Sequence, residues 1–292
     1  MTGRVRRVGI LGHTQRASVR PAAARLAASL ARGGRRVRLD GELAHEMERP
    51  GHPLPAIARW CQVLVALGGD GTALSGARAM AGRRGVLLPV NLGGLGFLTV
   101  AEEGELAVAV RQALGGRWPV VRRRLVGAQV RRGGRVVRRG RAMNDAVIKT
   151  AGGTSALHLR MTALGHDLGH LVADGVVCAS ASGSTGYSLS AGGPVLAPDV
   201  EAFVVTPVCA HTLGSRPLVL PPGGTVTLAV LGSADPSLLL LDGQESVELR
   251  AGDQVEVGLT RAVVRVFHNP SRPFGRSLQA KLGWQGSERR SM

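Results

Sequence analysis

Aromatic side chains are nearly absent from this chain, at 3% of its residues with a single tyrosine, and they do not interleave with the basic ones. That excludes the stacked platform on which proteins hold single-stranded nucleic acid. Lysine is almost as scarce, only Lys149 and Lys281, so the formal charge of +17 is carried by arginine, clustered at Arg35-Arg36, Arg122-Arg123-Arg124, Arg131-Arg132 and Arg138-Arg139. Such a field attracts nucleic acid or concentrates anionic nucleotides in a cleft, but the first-ranked reading is a proteome that writes exposed positions as arginine. No nucleic-acid partner is expected. The three cysteines, Cys61, Cys178 and Cys209, have no paired spacing, which fits buried thiols in a reducing compartment. The eight histidines show no metal-ligand spacing. No stretch approaches the ~20 apolar residues of a membrane span, and Val8–Gly12 is too short for a signal-peptide core. A cytoplasmic protein without a membrane partner is the expectation.

What is present is the composition of a folded globular chain: 292 residues, 44% of them hydrophobic, with 42 glycines spread along the length. That is enough for one large domain or two ordinary ones. The informative stretch is Leu64-Val65-Ala66-Leu67-Gly68-Gly69-Asp70-Gly71-Thr72. Its apolar run is one buried strand long, and three glycines then surround one carboxylate before a helical pattern opens. Glycines let backbone N–H groups approach a ligand, and a helix N-terminus adds positive partial charge, so the loop suits a phosphate. A carboxylate there would repel phosphate unless it faces the attacking hydroxyl and accepts its proton. A plain strand-to-helix turn with an Asp near the cap fits the loop alone equally well.

Strand and helix patterns alternate through the first part of the chain. Strands are predicted at Val8–Leu11, Val37–Leu39, Val63–Leu67 and Val86–Val90, and helices at Val19–Arg32, Leu54–Trp60, Thr72–Met80 and Glu105–Leu114, with Pro50–Pro55 as a turn-rich loop. This is the signature of a doubly wound, Rossmann-like parallel sheet that binds ligands at the strands' carboxyl ends. After Gly115-Gly116 short, β-branched runs take over, with Gly133-Gly134 as a hairpin turn and separate strands at Val255–Val257 and Ala262–Phe267. This all-β part is interrupted by one helix beginning at Gly183. Phe274–Trp284 is helical again and is expected to return to the first domain. The domain expectation is therefore an α/β domain of residues 1–117 plus 272–292, carrying the Gly-Gly-Asp-Gly loop, and a β-rich domain of residues 118–271.

Four blocks carry a resemblance: Gly68-Gly69-Asp70-Gly71-Thr72; Asn91-Leu92-Gly93-Gly94-Leu95-Gly96-Phe97-Leu98-Thr99; Asn144-Asp145; and Asp174-Gly175 with Gly183-Ser184-Thr185-Gly186-Tyr187-Ser188-Leu189-Ser190-Ala191-Gly192-Gly193-Pro194. Leu241-Asp242-Gly243-Gln244 is a weaker fifth. In order and rough spacing from residue 68 to 244 they resemble the NAD kinases, which phosphorylate the 2′-hydroxyl of the adenosine ribose of NAD to give NADP. The resemblance implies Asp70 as the proton acceptor. Gly68, Gly69, Gly71 and Thr72 fall to phosphate. NAD falls to Gly71, Phe97, Asn144, Asp145, Asp174, Ser182, Thr185, Gly186, Tyr187, Ser188, Leu189, Ser190, His211 and Gln244. Beside it stands the chemistry of these residues. Asn144 offers donor and acceptor to an adenine edge, Asp145 can accept from a ribose hydroxyl, and the ring of Tyr187 can cover a base or nicotinamide face. For His211, and for Phe97 as an adenine wall, a structural role fits the residue equally well. Asp174, by resemblance, contacts the nicotinamide end, often across a subunit interface.

This sequence departs from the family pattern in three places. Asp145 stands for the usual glutamate, Gly186 for an alanine in a run that also loses its proline, and Val172-Ala173 where an arginine is common. These bear on affinity more than on the base. The expectations are a kinase with ATP or polyphosphate as donor and a divalent ion, Mg²⁺, carried on the donor phosphates with no protein metal ligands. A homodimer or homotetramer is expected. A lipid kinase of the diacylglycerol type, which shares the Gly-Gly-Asp-Gly loop, is the rival.

Overall fold

A computed structural model describes residues 5–94, 96–152, 155–212 and 214–283. The chain divides into two compact units, residues 1–121 with 265–292, and residues 122–264.

The first unit is a parallel sheet with helices on it. Arg7–Gly12 lies between Arg36–Asp40 on one side and Val63–Gly68 on the other. Gly51–His52 extends the first side, and Val86–Asn91 the second, followed by Val266 at the end of strand Gln254–Phe267. Strands Val63–Gly68 and Val86–Asn91 are buried at every position, which explains why they read as uninterrupted apolar runs rather than alternating ones. Each fully buried Val or Leu contributes about 1.5–3 kcal/mol. The chain leaves the central strand Arg7–Gly12 toward one edge, then crosses back to Val63–Gly68 on its other side. The strand order therefore reverses between these two neighbours, the place where open α/β sheets hold ligands.

Helices Val19–Arg32 and Leu54–Trp60 have the expected bounds. Helix Asp70–Met80 begins two residues earlier than its apolar pattern, because extended Gly69 is its cap and Asp70 its first residue. Several short elements were not anticipated, two of them ahead of strand Val63–Gly68. Helix Gly41–Glu46 is too short for periodicity to register and is set by Asp40, whose buried carboxylate accepts from the N–H groups of Leu43 and Gly12 at 3.2 and 2.9 Å. The expected loop at Pro50–Pro55 contains the two-residue strand Gly51–His52. Helix Phe274–Leu282 belongs to the first unit, and the stretch before it is tied there by Arg272 to Glu102 and Glu105. The expected end of that helix, Trp284, lies outside the described residues.

The second unit is antiparallel. One of its sheets runs Leu218–Leu220, Phe203–Val208, Gly175–Ser180, Asp145–Thr150, Ser237–Leu241, Glu245–Leu249. A second set of strands, among them Leu157–Ala163, His166–Ala173 and Thr225–Gly232, shares a core with it around Ile148, Val176, Phe203, Leu228 and Val257. Gly133 and Gly134 have φ of 54° and 76°, the left-handed pair of a tight hairpin. The two strands expected at 255–257 and 262–267 are one, Gln254–Phe267, because the backbone stays extended through Gly258-Leu259-Thr260-Arg261 rather than turning. The helix expected from Gly183 is a 3-10 turn, Gly183–Thr185, followed by a single α turn, Tyr187–Ser190.

Candidate active site

In the first unit, the turn after Val63–Gly68 delivers Asp70 at the point where the strand order reverses. Its carboxylate accepts backbone N–H groups from Phe97 at 3.1 Å and Leu98 at 3.3 Å. Gly96 is pressed against it: a Cβ there would stand 1.9 Å from Asp70 Oδ1, so a side chain at this position would displace the carboxylate. Asp70 is half-buried, not turned into the core. A carboxylate has about four lone-pair positions, so these two amides fix its orientation and leave room for an incoming hydroxyl. Gly71 is exposed and Thr72 half-buried, its hydroxyl tucked under Gly68. The ring of Phe97 is covered by the ammonium of Lys281, 4.6 Å from its centroid.

In the second unit, Asn144 and Asp145 enter strand Asp145–Thr150, and their backbone is clamped by another carboxylate. Asp242 accepts the N–H groups of Met143, Asn144 and Asp145 at 2.9, 2.7 and 3.3 Å. It does so from a left-handed conformation, φ 51°. The Gly183 turn rests on the same place, since a Cβ on Gly183 would lie 2.1 Å from the Asn144 carbonyl oxygen. Gly186 faces the side chains, its Cβ position 3.6 Å from Asn144 Nδ2 and 4.0 Å from Asp145 Oδ2. Asn144 Oδ1 is buried with no partner among the described residues. A buried acceptor without a donor costs about 1–3 kcal/mol, which a ligand N–H would recover. Burial, and then the negative charge of Asp242, push the Asp145 carboxyl up to about 7.

The remaining predicted residues of this unit do not all gather there. Ser182 and Thr185 are half-buried in the Gly183 turn, and Tyr187 and Ser190 are exposed. Leu189 is half-buried, whereas the hydroxyl of fully buried Ser188 is bonded to Thr206 at 2.8 Å. Gln244 is exposed, two residues beyond Asp242. Asp174 and His211 sit elsewhere: the Asp174 N–H bonds Val208 and that of His211 bonds Val172. Register places Asp145 opposite Ala179, near one end of strand Gly175–Ser180, and Asp174 precedes the other end. At ~3.3 Å per residue the two groups are about 17 Å apart along the strand.

Two residues escaped the sequence reading. Asp242 was noticed only as part of a weak block, and nothing local says that a carboxylate 97 residues away holds the 143–145 backbone. Arg16 lies in an unremarkable turn after the first strand, yet its guanidinium reaches the glycine loops: a Cβ on Gly69 would be 3.1 Å from Nη2, and one on Gly93 2.3 Å from Nη1.

A glycine-bounded carboxylate at the reversal point of a parallel sheet, joined in one chain to an antiparallel unit with a clamped Asn-Asp pair, defines a two-unit protein of the α/β plus antiparallel-β class. Comparison with known proteins narrows the class. Residues 8–117 match the family model of the ATP-NAD kinase N-terminal domain, and residues 143–268 that of the ATP-NAD kinase C-terminal domain. The chain belongs to the NAD kinase family. It is 37% identical to an NAD kinase of Geobacter metallireducens over 84% of this chain and 87% of that one. It is 35% identical to NAD kinase 2 of Streptomyces coelicolor over 97% and 98%. A yeast NADH kinase solved in complex with NADH superimposes with a TM-score of 0.90 at 26% identity, over 100% of this chain and 91% of that one. An Archaeoglobus fulgidus NAD kinase solved with ATP shares the fold, with a TM-score of 0.76 at 22% identity, over 96% and 100%.

Proposed function

We propose that this protein is an NAD kinase that transfers a phosphoryl group to the 2′-hydroxyl of the adenosine ribose of NAD, with Asp70 as the proton acceptor. The observation that carries the assignment of the base is the placement of Asp70, a half-buried carboxylate fixed by the amides of Phe97 and Leu98 at the carboxyl end of a parallel strand. Phosphoryl transfer asks mainly for positioning and charge neutralisation. Asp70 orients the hydroxyl and takes its proton as the oxygen attacks. Asn144 presents a buried, unpaired carbonyl oxygen to an adenine amino group, and Asp145 accepts from a ribose hydroxyl. Nothing in the comparisons favours the lipid-kinase alternative, and no helix among the described residues is long and apolar enough to cross a membrane.

The donor is ATP or polyphosphate. No group of three or more His, Cys, Asp or Glu side chains that could hold a metal ion occurs among the described residues. A divalent cation, Mg²⁺, is proposed to arrive with the donor phosphates and to neutralise their charge. We place the enzyme in the cytoplasm, as a homo-oligomer. The separation of Asp174 and His211 from the Asn144–Gly186 cluster supports a site to which a second copy brings its own Asp174. The decisive experiment supplies purified protein with ATP or polyphosphate and, as acceptor, NAD, NADH or diacylglycerol vesicles. Formation of NADP or NADPH is expected. Phosphatidic acid as the only product would overturn the assignment.

A further inference from the structure

The guanidinium of Arg16 is placed as a ligand group would be, not as a surface charge. The residue follows the central strand Arg7–Gly12, in the loop His13–Ser18 on one side of the reversal point, while Asp70 follows the neighbouring strand on the other side. The loop is anchored: the His13 N–H bonds the Leu67 carbonyl at 3.1 Å, and the Ser18 hydroxyl the Leu92 carbonyl at 3.3 Å. From there the half-buried head of Arg16 lies between two glycine loops, against Gly69 on one side and Gly93 on the other. Side chains at these positions would meet it, most severely at Gly93. Its one hydrogen bond among the described residues is a long one, 3.4 Å from Nη1 to Asn91 Oδ1. The Asn91 amide is itself oriented by donating its N–H to the Gly94 carbonyl. A guanidinium has further N–H donors in a planar fork that matches phosphate oxygens. Gly69, against which this fork rests, is the residue immediately before the carboxylate that would receive the proton.

We infer that Arg16 binds the phosphoryl group being transferred, the terminal group of a nucleoside triphosphate or of an inorganic polyphosphate chain, and holds it in line with the hydroxyl that faces Asp70. This rests on the kinase reading above. In the step, the ribose oxygen forms the new O–P bond as the bond from phosphorus to the donor's bridging oxygen breaks. The hydroxyl proton passes to Asp70, and the bonding pair leaves with the shortened donor. Arg16 neutralises charge on the non-bridging oxygens throughout, where a single well-placed donor is worth roughly 10²–10³ in rate.

The test is a set of saturation curves in donor and in NAD for the parent chain, Arg16→Ala, Arg16→Lys and Gly93→Ala. Each of ATP and polyphosphate that the parent uses serves as donor, and calorimetry of NAD binding checks folding. Arg16→Ala should lower kcat/KM for the donor by about 10²-fold or more, leave NAD binding within about twofold, and be partly rescued by Arg16→Lys. Gly93→Ala adds only a methyl, but the methyl lands on the far end of the Arg16 side chain. It should give a similar donor defect, and none beyond that of Arg16→Ala when the two are combined. Donor parameters within about threefold of the parent in Arg16→Ala would overturn the inference while leaving the kinase reading intact. So would a defect confined to the NAD curve, or additive losses in the double variant. A parent chain that makes no NADP or NADPH would overturn the reading and this inference together.

Discussion

The two units hold their key side chains by opposite means. In the first, backbone holds a side chain: the amides of Phe97 and Leu98 fix the carboxylate of Asp70. In the second, a side chain holds backbone: the carboxylate of Asp242 gathers the amides of residues 143 to 145 and so aims Asn144 and Asp145. The Asp70 carboxylate thus stays partly open at the sheet's end, whereas Asp242 is buried. The comparison teaches that a carboxylate's task follows from which of its partners can be replaced by a ligand. Asp70 has lone pairs to spare beside two amides, whereas Asp242 already serves three.

The sharpest way to break this comparison is to neutralise each carboxylate without changing its size. Asp70→Asn should lower NADP formation by roughly 10²–10⁴-fold, the range for loss of a general base. NAD binding by calorimetry should stay within about twofold, and unchanged turnover would remove Asp70 as the base. Asp242→Asn should do the reverse. Asparagine accepts the left-handed backbone, but its NH₂ group confronts N–H donors, so stability should fall by about 2–4 kcal/mol on the scale of charged hydrogen bonds. Urea unfolding would read this, together with an NAD KM raised severalfold and a kcat little changed.

Asn144→Ala separates binding from folding within the second unit. The NAD KM should rise severalfold, yet the melting temperature should hold or climb, since a buried oxygen without a partner is removed along with the binding group. A fall in both would mean that Asn144 is a structural residue.

The Asp145–Asp242 pair also gives the comparison a pH axis. The folded carboxyl of Asp145 titrates near 7, above its ordinary value of 3.8, with burial the larger cause and Asp242 the second. A group whose folded pKa is raised contributes stability that is complete below the ordinary value and is lost as pH rises through the folded one. Relative to Asp145→Asn, the parent should therefore lose stability progressively between about pH 4 and 7 and run parallel above. Urea midpoints across that range check it, and parallel curves throughout would show that Asp145 is not held this way. The smallest effect is expected from Gly186→Ala, which puts in place the alanine that the resemblance implies there. The new methyl would sit 3.6 Å from Asn144 Nδ2 and 3.3 Å from the Gly183 carbonyl oxygen. An NAD KM lowered about twofold is expected, and a raised one would show that the tight carbonyl contact dominates.

Legibility followed the range of the interactions. The buried strands and helices such as Val19–Arg32 were readable because burial leaves an apolar pattern in consecutive residues. Helix Gly41–Glu46 was not, because one capping carboxylate starts it and it spans fewer than two turns. The continuous strand Gln254–Phe267 was misread as two because Gly258 and the polar Thr260-Arg261 interrupt its apolar pattern without turning the chain.

While the family resemblance pointed to candidate site residues, the sequence by itself determined the class of sheet in each half and the Gly-Gly-Asp-Gly turn. Those follow from local rules: periodicity and glycine spacing. Only the tertiary structure decided that Asp70 is oriented by the 96–98 loop, that Asp242 clamps the Asn144-Asp145 backbone and that Arg16 lies against the glycines. It also decided that Asp174 stands a strand's length from Asp145. The physical reason is that these are contacts between residues distant in the chain. Their geometry is set by strand order and register, which no local stretch of sequence records.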